Sequence, residues 1–386
     1  MNIDLLEKLI PATGSEIIKL MKDSCFPNDV VVLDCSRKGY SSFLSPQSFG
    51  DRYFLNSVMD FSKTSILNKQ ILKQNNFSIE VRYLASFDSN ILGDVVTSIF
   101  NSKPLNEDLE MAINFLKEND MQLDSNPYLL EAYLNRYDMK KVDIHKSLQA
   151  FEVLDYFDDL LDGSLSDTYT REKLHILQSA DIRMEKISAE SYSQTPIIKY
   201  YILAYVLLLK AFLIKNRDNK LDEKIDELLS FIVEEIPIFA ENEVITSILY
   251  LQNNRELERF LRVKENTNNK LAKLSGMAWD LTHIRYVELI MRLEYGKFDK
   301  FTIPYLLSGD KGLNSVMAFN PVKRIIIVEE RPIFLRTHNL HNVGLNQQQI
   351  ERMLDWKNSN RPVWNLRVEE NIKQLIRKLE EVVDGL

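Results

Sequence analysis

The chain has 386 residues, 45% hydrophobic and 27% charged, a composition that excludes both a peptide-sized stapled fold and wholesale disorder. Its 48 Lys and Arg against 56 Asp and Glu leave a formal charge of -8, which excludes a global attraction to polyanions but permits a local nucleic-acid surface. Cys25 and Cys35 are too few for a disulfide framework or a thiolate zinc site, and the start MNIDLLEKLIPATGSE carries acids where a leader would be basic, so the expected location is intracellular and cytoplasmic.

In chain order, Leu9, Ile17, Ile18 and Leu20 predict short helices on either side of Pro11, and Val30 to Asp34 predicts a strand. Phe43, Phe49, Phe54 and Phe61 are irregularly spaced and read as packing residues. The β-branched and aromatic run Ile79 to Phe87 predicts a strand that ends at Asp88-Ser89-Asn90, with the apolar run Ile91 to Ile99 behind it. Helices are predicted at Leu105 to Glu118 and at Tyr128 to Tyr137, the second opened by Asn126-Pro127.

From about residue 143 to 270 the spacing is helical: His145 to Leu161, Arg171 to Ser188, Ile197 to Ile214, Leu221 to Ile236 and Glu243 to Arg262. Ile202 to Ile214 is the most membrane-like stretch, but Lys199 and Lys210 interrupt it before the roughly 20 apolar residues needed to span a bilayer, so a buried bundle helix and no membrane partner are expected. A helix at Ala278 to Tyr295 then precedes the extended run Phe301 to Leu307, the polar turn Ser308 to Gly312, and the buried-strand pattern of Val322 to Val328. Asn358 to Pro362 predicts a turn, and Val368 to Val383 an amphipathic helix.

Four acids stand out: Asp88 in FDSNIL, Glu131 in YLLEAYL, Asp280 in MAWDLTHIRY and Asp310 in LLSGDKGL. Two follow strands and two lie on helices, the pattern by which distant positions of an α/β chain converge above a sheet. Converging carboxylates need a counter-charge, and hard oxygen donors suit Mg²⁺ or Mn²⁺. Such ions serve phosphodiester hydrolysis by orienting water and stabilising the charge that grows on phosphorus oxygens. Taken singly, Asp88 also suits a helix cap, Asp310 an Asx turn, and either helix acid a solvated position.

These segments together resemble the PIN and PIN-like nuclease superfamily. The resemblance covers roughly residues 80 to 140 and 270 to 330. It implies an α/β, three-layer domain with a central, mainly parallel sheet, interrupted by an all-helical insertion. The implied division is a mixed extension over 1–80, a first part over 81–142, the insertion over 143–270, a second part over 271–335 and a helical C-terminal extension over 336–386. It further implies a metal-dependent endoribonuclease in which Asp88, Glu131, Asp280 and Asp310 hold Mg²⁺ or Mn²⁺, with RNA as substrate and toxin or phage-defence roles common in the superfamily. Asn90 and Ser308 match the polar partners of the first and last acids. His283, one turn after Asp280, with Arg285, Lys311 and Lys323, are the candidates to meet phosphate. A protein inhibitor or activator and self-association are the further partners considered.

Two other readings compete. Arg336 and His341 are spaced as in the ribonuclease motif of HEPN-like helical proteins, although Pro332 opposes a continuous helix there. The fold also suits an inactive PIN-like adaptor that binds RNA or protein through its helical part. The sequence has no Walker A loop, HExxH zinc motif, GxSxG elbow or paired-cysteine finger.

Overall fold

Two long apolar runs far apart in sequence, Glu80–Phe87 and Lys300–Ser308, lie side by side as strands in the computed structural model, which describes residues 3–35, 43–73, 80–101, 103–134, 141–155, 164–188, 196–291, 300–329, 331–359 and 364–386. The chain divides into two compact units. The first comprises Met1–Ser188, Val287–Asp310 and Asn320–Thr337; the second comprises Ala189–Tyr286, Lys311–Phe319 and His338–Leu386.

The first unit runs α1 (Ile3–Leu9), α2 (Gly14–Met21), β1 (Val31–Asp34), β2 (Gln47–Phe49), β3 (Tyr53–Asn56), β4 (Ser65–Asn68), α3 (Lys69–Lys73) and β5 (Glu80–Phe87). It continues with α4 (Ser89–Phe100), α5 (Glu107–Glu118), β6 (Gln122–Asp124), α6 (Asn126–Leu134), α7 (Lys141–Asp155) and α8 (Leu165–Ser188), and ends with β7 (Lys300–Ser308), β8 (Val322–Val328) and β9 (Arg331–Arg336). The strands form two sheets, ordered β4-β1-β8-β9 and β2-β3-β7-β5-β6.

The architecture is thus mixed α/β with a large helical part, and the single, mainly parallel sheet expected from the sequence is corrected. Parallel pairing is confined to β7-β5-β6, while β2, β3 and every pair in the four-stranded sheet are antiparallel. The reason lies in residues 1–80. Instead of a separate extension they supply four strands, and β1 takes β8 as its partner through Val31–Ile327 and Val32–Ile326. Alternate residues Val30, Val32, Ile326 and Val328 then form an apolar floor on which Leu5, Leu6 and Leu9 of α1 and Ile17 and Met21 of α2 pack.

Helices α7 and α8, expected in a separate insertion, belong to this first unit. Ring contacts Phe87–Phe151 at 5.6 Å and Phe100–Tyr169 at 5.1 Å tie them to β5 and α4.

The second unit is helical: α9 (Pro196–Lys215), α10 (Leu221–Glu235), α11 (Glu241–Leu251), most of α12 (Lys270–Ile290), α13 (Lys311–Phe319), α14 (Gln347–Asn358) and α15 (Leu366–Asp384). Helix α9 is long and apolar enough to cross a membrane by length and composition, and 78% of its most apolar window is buried inside the protein. Its Tyr205 hydroxyl donates to Glu380 of α15 at 2.8 Å, so the C-terminal residues join this bundle. Helix α11 ends at Leu251, earlier than expected, because Asn253 adopts a left-handed φ of 52° and the Asn254 side chain caps the following turn. Parts of the expected elements at 79, 135–137, 156–161, 292–295 and 360–362 lie outside the described residues.

The β2–β3 turn depends on one glycine. Gly50 has a φ of +54°, and a Cβ there would stand 2.1 Å from Asp108 Oδ2 at the start of α5. Gly50→Ala is expected to destabilise the protein by about 1–3 kcal/mol through the left-handed backbone alone, read as a lower urea midpoint at unchanged denaturant slope.

Candidate functional site

Parallel register brings the ends of β5 and β7 together. Phe87 lies opposite Leu307, and the Asp88 N–H donates to the Leu307 carbonyl at 3.1 Å. The chain therefore leaves both strands at one edge, with Asp88 as the N-cap of α4 in extended backbone conformation (φ -74°, ψ 154°).

The two sequence motifs interlock at this edge. Asp88 Oδ1 accepts the Ser89 backbone N–H at 2.6 Å and the Ser89 hydroxyl at 3.3 Å. Its Oδ2 accepts Asn90 Nδ2 at 2.5 Å and the Ser308 hydroxyl at 2.6 Å. Ser308 Oγ in turn accepts the Asp310 N–H at 2.9 Å, and Asn90 Oδ1 accepts the Gly309 N–H at 2.9 Å. Asn90 and Ser308 thus hold Asp88 and the Gly309-Asp310 backbone in place. A Cβ at Gly309 would press on Asn90 Oδ1 at 3.1 Å, which explains the small residue.

Glu131, on α6, faces the same network. Burial raises its carboxyl and the neighbouring Asp88 charge raises it further, to about 7, against a lowering hydrogen bond from the Ser89 side chain. One serine therefore serves two carboxyl groups.

A third acid at this edge escaped the sequence reading. Asp124 ends β6, whose parallel pairing with β5 sets it opposite Ser86; the Ser86 hydroxyl donates to Asp124 Oδ2 at 2.8 Å, and the Asn126 N–H to Oδ1 at 3.0 Å. The signal was present as a second Asp-Ser-Asn, residues 124–126, repeating residues 88–90. Both copies leave a strand and open a helix. Beside the second copy, Arg183 of α8 donates to Ser125 Oγ at 3.0 Å, pairs with Glu152 and lies over the Phe151 ring at 4.8 Å.

The remaining candidates have other places. Asp280, His283, Arg285 and Lys311 belong to the second unit, so the predicted acids that one unit contains are Asp88, Glu131 and Asp310. His283 is buried on α12 beside the Trp279 ring. Arg285, expected at phosphate, forms two 2.7 Å bonds with the buried Glu243 carboxylate. Lys311 opens α13, and Lys323 lies on β8 in the other sheet of the first unit. The two residues of the HEPN-like alternative do not share a helix. Arg336 ends a strand rather than lying on a helix, and its guanidinium binds Glu288 and the Asn320 carbonyl, while His341 lies in a turn.

Several of the acids described differ in the partner they are given. Asp34, Glu152, Glu243 and Glu288 each pair with an arginine: Arg324, Arg183, Arg285 and Arg336. Asp88 and Glu131 are instead held by hydroxyl and amide donors. Hard, anionic oxygens without an arginine are the donor chemistry a divalent cation accepts. As the side chains stand, no group of three or more His, Cys, Asp or Glu among the described residues is arranged to hold a metal ion.

No family model, no curated protein and no solved structure matches this chain.

The Glu131 shift has a sign that can be measured. A carboxyl at about 7 when folded and near 4.5 when unfolded binds more protons in the folded state between those values, so its contribution to stability declines as pH rises from 4.5 to 7. Glu131→Gln is expected to match the parent below pH 4.5 and to exceed it in stability above pH 7, by roughly 1–3 kcal/mol. Denaturation midpoints across that pH range check this; a variant offset equal at both ends rejects the assignment.

Proposed function

We propose that the chain is a PIN-like, divalent-metal-dependent endoribonuclease whose site lies at the joined ends of β5 and β7. The observation that carries this reading is the Asp88–Glu131 pair, two neighbouring carboxyl groups held by neutral donors in a protein that gives Asp34, Glu152, Glu243 and Glu288 an arginine each. The position at the carboxyl ends of parallel strands, where α/β proteins carry their sites, supports it.

In this reading Asp88, Glu131 and Asp310 would hold Mg²⁺ or Mn²⁺. When bound, such an ion supplies charge neutralisation and Lewis acidity toward a phosphodiester. The chain's own contribution is placement. Ser89 holds Asp88 and Glu131 in one locality, and Asn90 with Ser308 fixes the Asp88 carboxylate and the backbone that carries Asp310. Asp280 remains a proposed fourth acid on the strength of the family resemblance alone. RNA as the substrate, with single strands and exposed loops preferred, rests on that same resemblance, as does a toxin or defence role in the cytoplasm.

A second reading, an inactive PIN-like adaptor for RNA or protein, is favoured by one observation. Asp88 already accepts four hydrogen bonds, so its carboxylate is satisfied as a structural cap.

Cleavage of single-stranded RNA and DNA by the purified chain in Mn²⁺ and Mg²⁺, with a chelator control, separates the two. Asp88→Asn and Asp310→Asn are expected to lower metal-dependent RNA cutting by about 100-fold or more, and Asn90→Ala by about 10–100-fold through misplacement of Asp88. Circular dichroism of each variant confirms folding. Cutting that survives both acid substitutions rejects the nuclease assignment, and folded protein that cuts nothing in either metal favours the adaptor.

A further inference from the structure

The second unit gathers three lysines at one corner. Lys215 ends α9, Lys224 stands near the start of α10, and Lys264 lies in the connection between α11 and α12. Tyr250 of α11 joins two of them. The Lys215 ammonium lies over its ring, 3.9 Å from the centroid, and its buried hydroxyl donates to the carbonyl of Val263, the residue before Lys264. Lys224 Nζ donates to the Lys215 carbonyl, the last of α9, at 2.8 Å.

A helix C-terminus favours cations, which accounts for a lysine at the end of α9, but that end carries only about half a negative charge against three ammonium groups. The carboxylates of α10 are engaged elsewhere. Glu223 accepts the Lys220 N–H in a capping box, Asp226 takes Gln349 Nε2 at 2.9 Å, and Glu227 takes Lys210 and Arg217, each at 2.7 Å.

Lys215 registers the imbalance. Burial and the Lys264 and Lys224 charges lower its ammonium to about 8, and among the described residues no acid offsets them. A half-buried lysine crowded by like charges calls for an anion, and a compact one with several charges answers three ammonium groups better than a singly charged phosphodiester.

We propose that the corner formed by Lys215, Lys224 and Lys264 binds a polyphosphate group. Lys224 brings the two N–H groups that the Lys215 carbonyl leaves over, Lys264 brings an exposed ammonium, and the Tyr250 ring holds Lys215 in place. Tyr250 is fully buried, so no base stacks on it and recognition is of phosphate alone. Inorganic polyphosphate, a nucleoside triphosphate and the 5′-triphosphate end of an RNA present this same chemistry. The site is independent of the nuclease reading, because Asp88, Glu131 and Asp310 belong to the first unit.

The test is calorimetric titration of the full chain with orthophosphate, inorganic triphosphate, adenosine triphosphate and a 5′-triphosphorylated RNA hexamer, in chelator so that the hexamer stays uncut. Triphosphate is expected to saturate one site and to bind at least about tenfold more tightly than orthophosphate, a difference of about 1.4 kcal/mol. Lys215→Gln is expected to weaken it at least about tenfold. Lys264→Gln, at an exposed position, weakens it at unchanged melting temperature, whereas Lys373→Gln, at a lysine paired with Glu369 on α15, leaves it unchanged. Binding raises the Lys215 ammonium again, so adenosine triphosphate takes protons up at about pH 8 and its affinity falls as pH rises above that value. The uptake is read from the dependence of the heat on buffer ionisation and is lost in Lys215→Gln. Tighter binding of the hexamer than of inorganic triphosphate assigns the site to an RNA end, and equal or weaker binding assigns it to a free polyphosphate; both sustain the polyphosphate site. No saturable binding of any polyphosphate, equal affinity for orthophosphate and triphosphate, indifference to Lys264→Gln, or proton uptake the same in Lys215→Gln as in the parent overturns it.

Discussion

The candidate site depends on the parallel pairing of β5 with β7. Ser308 donates to Asp88 across 220 residues of sequence, and no local preference could bring these side chains together. Eight aligned residue pairs, from Glu80–Lys300 to Phe87–Leu307, fix the register. A slip of one residue would turn every side chain of a strand to the opposite face. The hydroxyl, amide and carboxylate network at the edge is therefore a consequence of strand register, and each of its bonds is short-range once the register is set.

Burial then gives the acids unequal standing. Removing a carboxylate from water is costly, and this chain answers that cost in two ways. Asp34 and Glu288 have arginines with fixed planar donors, which serve to join elements: Arg324 ties β8 to β1 and to the α1–α2 connection, and Arg336 ties β9 to Glu288. Asp88 has only neutral donors, and Glu131 keeps its proton more firmly because it is buried and stands beside the Asp88 charge. An acid paired with arginine is electrically closed, whereas an acid beside another acid stays open to a cation. That contrast distinguishes the Asp88–Glu131 pair from Asp34, Glu152, Glu243 and Glu288.

What could be read from the sequence follows the range of the forces involved. The strand end at Asp88 and the helical position of Glu131 are local, and caps and apolar periodicity announced them; the turn expected over Ser308 to Gly312 is only Gly309-Asp310, because Lys311 and Gly312 already belong to α13. The assignment of strands to two sheets was not local. β2 and β6 have three residues each, too short for an alternating pattern, and the partners of β1 lie at Ser65–Asn68 and Val322–Val328. Asp124 was missed for that reason, since a three-residue strand gives little notice of the sheet edge that makes its Asp-Ser-Asn equivalent to the first. Arg285 looked like a phosphate ligand and Arg336 like part of a ribonuclease motif because a sequence displays charge without its partner, and Glu243 and Glu288 are 42 and 48 residues away.

The chain's net charge of -8 says little about where phosphate would go. Electrostatic interactions between exposed charges fade within about 8–10 Å at moderate salt, so each site is governed by its own neighbours. At the β5–β7 edge those neighbours are carboxyl groups, and a phosphodiester is repelled there until a cation intervenes. At the cleft that opens at the start of α2, Arg324 is paired with Asp34 and the Glu16 carboxylate caps the helix end, so cationic and anionic groups answer one another within a few ångströms and net charge predicts nothing there.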